Sequence, residues 1–219
     1  MRSGAALDVA ELAAGIVLAG AVIALWRRDL RALTSVLSLQ GAALATVAAV
    51  LAVRDGDVGL GVVAGVVLVA KGIVVPGLLA RVVRADPGSR ETSPLVNVPA
   101  SLVSAAVLVV VSYLVAGRLI ALFPDPLTRL APLGLATVLV GFFVLVTRRK
   151  AVSQIVGLLL VDNGVALVAF LLTAGVPLLV ELGASLDILL VVVVLQVLAT
   201  TMRARFGHID LDQLRELHD

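Results

Sequence analysis

The sequence predicts an all-α, polytopic membrane protein of about seven transmembrane helices, and three observations carry that prediction. Hydrophobic residues make up 61% of the 219 positions, with a mean hydropathy of +1.15; soluble domains run nearer half apolar. Charged residues amount to only 15% and gather in short groups between long apolar stretches. Those stretches have the length that a hydrocarbon core of about 30 Å demands, roughly 20 residues per helix. A porin-type barrel would instead show short alternating segments and aromatic girdles, and aromatic residues are only 3% of this chain.

Taken in order, the spans are expected at residues 7–25, 32–53, 58–80, 98–117, 127–146, 151–174 and 178–201. Each break is marked by charge, glycine or proline: Trp26-Arg27-Arg28-Asp29, Arg54-Asp55-Gly56-Asp57, residues 81–97, residues 118–126, Arg148-Arg149-Lys150 and Gly175-Val176-Pro177. The first span does not read as a cleaved signal peptide, because Asp8 and Glu11 precede its apolar run and its arginines follow it.

The basic residues orient the bundle. Arg27, Arg28, Arg31, Arg81, Arg84, Arg90, Arg148, Arg149, Lys150, Arg203, Arg205 and Arg215 fall on one side, and Arg2, Arg54, Arg118 and Arg129 on the other. By the positive-inside rule, the N-terminus is outside and the C-terminus cytoplasmic, in a plasma (inner) membrane. A shift of 121 residues carries Arg27-Arg28 onto Arg148-Arg149 and Arg84 onto Arg205. The chain thus reads as a parallel repeat: a three-helix unit over residues 1–84, a linking helix at 98–117 and a second three-helix unit with a cytoplasmic tail over 127–219.

Several function classes are excluded by composition. With no cysteine, there can be no disulfide, iron–sulfur cluster or c-type haem attachment. His208 and His218 both lie in the polar tail, and the methionines are Met1 and Met202, so no cofactor and no metal site is expected. No basic stripe with interleaved aromatics suggests nucleic-acid binding. The tail has a capping-box spacing, Asp210 with Gln213, and a narrow stripe of Leu211, Leu214 and Leu217, which suits a short surface or docking helix.

Three ionisable residues lie well inside apolar spans: Lys71, Asp162 and Asp187. A charge at the helix centre costs ~2.5–3.5 kcal/mol on insertion scales, so it needs a partner, water or a use. Lys71 is followed by Pro76, which has no N–H and releases the carbonyl of Gly72. Asp162 stands in the triplet Asp162-Asn163-Gly164, and Asp187 in the outer half of the last span. Gln40, Gln154 and Gln196 add polar groups explained by interhelical hydrogen bonds, while Glu181 fits a solvated helix start. Residues 59–65, rich in glycine, read as close helix packing. Two readings of the charges are open: a proton relay of carboxylates and a tuning lysine, or buried ion pairing that fixes helix register. The relay is preferred, because intramembrane ionisable groups usually line pathways.

The stretch Arg148-Arg149-Lys150 to Gly157, followed by Asp162-Asn163-Gly164, resembles the K subunit of respiratory complex I. Lys71 with Val75-Pro76, the same triplet, Val180-Glu181-Leu182-Gly183 before Asp187, and Ile209-Asp210 together resemble the hydrogenase-4 component E family over most of the chain. That resemblance implies a non-catalytic membrane-arm subunit beside antiporter-like proton pumps, coupled to a peripheral nickel–iron hydrogenase or related oxidoreductase arm. Two positions depart from the pattern. The K-subunit glutamate falls on Leu159, and the acid at Asp162 is shorter by one methylene than the glutamate of the hydrogenase component. An independent small-solute or ion transporter fits less well, because Pro76 has no counterpart at Val197 and so no pair of broken helices. A purely structural membrane spacer is the third alternative.

Overall fold

The structure is a computed structural model that describes residues 2–27, 29–85, 96–122 and 124–172. All of these belong to one unit, Met1–Ala184; a second unit comprises Ser185–Asp219. The span expected at 178–201, with Glu181, Asp187 and Gln196, and the tail helix lie outside the described residues, as do the last two residues of the sixth span.

Among the described residues the chain is wholly helical: α1 (Arg2–Trp26), α2 (Leu30–Asp55), α3 (Val58–Val67), a π-helical segment (Leu68–Val74), α4 (Val75–Ala85), α5 (Val98–Leu122), a 3₁₀ turn (Leu127–Leu130), α6 (Ala131–Thr147) and α7 (Ala151–Leu172). Six of these stretches are long and apolar enough to cross a membrane, with α3, the π segment and α4 forming the third, Val58–Arg81. They coincide with the first six expected spans, and the molecule is a multi-pass helical membrane protein.

The ends are where polar residues concentrate, because the last turns of each helix have unsatisfied backbone groups. Asp29 caps α2 by accepting from the Arg31 N–H at 3.0 Å. Asp57 caps α3 through the N–H groups of Gly59 and Leu60 at 2.7 and 3.3 Å. Between them α2 ends at Gly56, whose φ of 67° is a left-handed conformation that favours glycine. The turn at 56–57 is therefore tight, and α2 and α3 pack as antiparallel neighbours.

Close packing without a hydrophobic driving force relies on small residues, and two pairs of helices use it. On α6, Gly134 and Gly141 face the α7 backbone at Val168 and Val161; on α7, Gly157 and Gly164 face α6 at Leu145 and Val138. A Cβ at any of the four would come within 3 Å of its neighbour. The second close approach joins α2 to the π segment at Gly41 and Gly72. The glycine-rich stretch 59–65, expected to be such an interface, is not one: Gly59 and Gly61 are exposed, and an added Cβ at Gly65 would meet nothing within 4 Å. Of the three, only Gly61 faces α2, and a Cβ there would sit in ordinary contact with Ala52, at 4.0 Å.

Helix α1 packs on α2 and α6, and α2 also packs on α7 and the π segment, so α2 is central. One apolar cluster fills the half of the bundle where α1 begins and α2 and α7 end. It includes Ala14, Val17, Leu44, Val47, Leu51, Leu127, Leu167 and Leu171.

Candidate functional site: a polar layer at mid-membrane depth

The third span runs through Pro76, and its helix type changes just before that residue. Over Leu68–Val74 the backbone adopts π geometry, and the Val75 N–H reaches back to the Ala70 carbonyl. Single π turns inside α-helices recur at functional sites. The carbonyl of Gly72, deprived of its α-helical donor by Pro76, accepts a hydrogen bond from the Ser38 hydroxyl of α2. Gly41, one turn on from Ser38, permits this approach: a Cβ there would collide with the Lys71 carbonyl.

That contact aims Lys71 inward. Its Nζ donates to Asp162 Oδ2 of α7 at 2.6 Å, an ion pair whose side chains are 7% and 13% exposed. Next to it, Asn163 Nδ2 donates to Gln40 Oε1 at 3.3 Å, and Gln40 Nε2 donates to the Val17 carbonyl of α1 at 2.5 Å. Gln40 is fully buried, and its side chain fills the space left by Gly20. At 1.5 Å per residue, Gln40, Lys71 and Asp162 each lie about 15 Å from the arginine-bearing end of their helix, half of a ~30 Å core. Four helical segments thus meet in one polar layer. Among the described residues no buried side-chain nitrogen or oxygen lacks a hydrogen-bond partner.

Of the residues singled out in the sequence, Lys71, Asp162, Asn163 and Gln40 come together. Gln154 does not. It lies in the first turn of α7 and is exposed, and it donates locally to the Arg148 carbonyl at 3.1 Å rather than to another helix. Asp187, Glu181 and Gln196 lie outside the described residues. Sequence reasoning missed Ser38 and Gly41, whose roles depend on helix register; the Gln40-Gly41 pair inside an apolar span was the available signal. It also missed the use of Arg148. Counted as a positive charge at a membrane face, Arg148 is in fact buried, and its Nη2 donates to the Ala24 and Leu25 carbonyls at 3.1 and 3.0 Å. There it satisfies the C-terminal carbonyls of α1 and complements the negative end of that helix.

The opposite face is held by Arg54, which pairs with Asp55 at 2.9 Å and with Asp125 at 3.0 Å. Partial burial pushes the Asp125 carboxyl up, but the Arg54 hydrogen bond and the Leu127 N–H outweigh it and hold the group below its ordinary value. Chemically, the polar layer offers one acid and one amine in direct contact, and no group of three or more metal-ligating side chains occurs among the described residues.

No family model and no solved structure matches the chain. Hydrogenase-4 component E of Escherichia coli and that of Shigella flexneri are each 35% identical over 79 residues, 36% of this chain and 37% of theirs. The uncharacterized protein Rv0085 of Mycobacterium tuberculosis is 46% identical over 210 residues, covering 95% of this chain and 96% of that protein. At that identity over nearly the whole of both chains, the protein belongs to the same family as Rv0085 of Mycobacterium tuberculosis.

Proposed function

We propose that the protein is a non-catalytic membrane subunit of a complex I-like or hydrogenase-4-like assembly, and that the Lys71–Asp162 pair exchanges protons within it. The observation that carries this reading is the ion pair itself, 2.6 Å long and placed at mid-depth between two helices. An ammonium and a carboxylate in hydrogen-bond contact can share one proton. Its transfer from Nζ to Oδ2 leaves an amine and a carboxylic acid, and so removes both charges from a medium that penalises them. Partial similarity to hydrogenase-4 component E supports a place beside antiporter-like membrane subunits, with the electron chemistry on a peripheral oxidoreductase arm. The chain is oriented in this reading with its N-terminus outside and its C-terminus in the cytoplasm of a plasma membrane, as the arginine distribution supports.

The test is proton translocation by the assembled complex in vesicles. Asp162→Asn and Lys71→Met are expected to assemble and to translocate poorly, and Lys71→Arg to retain more coupling than Lys71→Met because the charge survives. Normal translocation by assembled Asp162→Asn overturns the proposal. One observation favours the rival structural reading: the layer is fully hydrogen-bonded, as a pair that only fixes helix register would be.

A further inference from the structure

The two halves of the bundle on either side of the polar layer differ in character. Toward the Arg54–Asp125 face, the continuous apolar cluster separates the layer from the membrane surface. Toward the Arg148 face, α2 carries three hydroxyls, Thr34, Ser35 and Ser38, at i, i+1 and i+4, which places them along one strip of the helix. A wide, open cleft of about 330 Å³ lies between this strip and Gly72, Ile73, Pro76 and Gly77 on the third span. Gly72, the residue that follows Lys71, is part of its lining, and there the Ser38 hydroxyl meets the carbonyl that Pro76 leaves without an α-helical donor. Polar groups inside hydrocarbon are expensive unless they meet one another or water, and this strip occurs on one side of the layer.

We propose that the cleft is a water-filled half-channel that connects the Lys71–Asp162 pair to the arginine-rich face of the membrane and to that face alone. It takes water and the protons that water carries. Ser38 and the Gly72 carbonyl are hydrogen-bonding groups of its lining, and the apolar cluster is the seal on the other side. Protons reaching the pair therefore come from one compartment, and the apolar cluster bars a path straight through the bundle. The inference rests on the proton-exchange reading of the pair, yet it stands or falls by a different measurement, since solvent access is separable from translocation.

The chain has no cysteine, so single cysteines can be placed one at a time in the full-length protein. Ser35→Cys and Ile73→Cys occupy exposed cleft positions, and Ser38→Cys the position that meets Gly72; Leu39→Cys and Val69→Cys occupy equally exposed positions outside the cleft. Arg27→Cys and Gly56→Cys report the two membrane faces. The probe is a membrane-impermeant, positively charged methanethiosulfonate, added from either side of sealed vesicles. Thiolate is the reactive form, and apolar surroundings suppress it. The cleft cysteines should therefore react about tenfold or more faster than Leu39→Cys and Val69→Cys, and from the Arg27 face only. Cleft rates no higher than those of Leu39→Cys and Val69→Cys mean lipid or a neighbouring chain fills the cleft, and overturn the half-channel. Equal reaction from both faces overturns the seal. Neither result depends on the Ser38 variant folding, and neither bears on whether Asp162→Asn stops translocation.

Discussion

Asp162, Asn163 and Gly164 are consecutive, yet each meets a different helix: Lys71 in the π segment, Gln40 in α2 and the Val138 backbone in α6. Successive side chains on an α-helix point about 100° apart, so three neighbours in sequence cover three neighbours in space. That Lys71 and Asp162 needed partners was legible from their cost in an apolar span. That they are each other's partner was not, because 91 residues separate them and nothing local specifies which helices touch. Gln40 was legible as an interhelical hydrogen bonder and behaves as one. Gln40→Leu should destabilise the protein by about 1–3 kcal/mol, because it leaves buried Asn163 without its acceptor. Unfolding in detergent measures this, and an unchanged midpoint would show that Asn163 finds another partner.

At the scale of elements, Pro76 announced a Gly72 carbonyl without its α-helical donor, and that carbonyl is met by the Ser38 hydroxyl. The π segment of seven residues before Pro76 was not legible, because helix type there depends on the approach of α2 as well as on the proline. The error over residues 59–65 has the same origin. Glycine content indicates that close packing is possible, whereas the face that packs is set by the neighbouring helix. Gly41 and Gly65 therefore make opposite predictions. Gly41→Ala forces the π segment away from α2 and should cost about 1–3 kcal/mol, with loss of the Ser38 bond. Gly65→Ala meets open space and should be neutral or stabilising by up to about 1 kcal/mol through helix propensity. Thermal unfolding of the two variants side by side checks this, and equal effects would mean that the α2–π contact is loose.

Across the whole molecule, six of the expected spans were legible from hydropathy and charge, with edges shifted by a few residues. The shift of 121 residues carries Gly20 to Gly141 and Gln40 to Val161, and each glycine faces the corresponding residue on the next helix. Orientation is tested with cysteines at Gly56 and Asp125, expected to label from outside, against Arg27 and Arg149, expected to label from the cytoplasm. Reversed labelling would overturn the topology. The Arg54–Asp125 bridge gives a pH signature outside the membrane. A carboxyl lowered in the folded state contributes stability above its unfolded pKa of about 3.9 and loses it as pH falls through the lower folded value. At about one-third exposure the contribution is about 0.2–1 kcal/mol, and Asp125→Asn should abolish it. Titration of stability between pH 5 and about 2 in both forms compares them, and identical curves would show that the bridge contributes no stability.

In the proposed function, Lys71 and Asp162 exchange a proton rather than merely hold two helices together. Replacing a buried ion pair by apolar groups of similar volume is often neutral for stability, whereas removing one partner is costly. Lys71→Met combined with Asp162→Leu therefore keeps the packing and removes the proton chemistry. Proton translocation by the assembled complex carrying both substitutions is the most direct measurement. If the pair exchanges a proton, the complex assembles as the parent does and translocates protons poorly. A doubly substituted complex that assembles and pumps like the parent would contradict it and leave the pair as a structural staple.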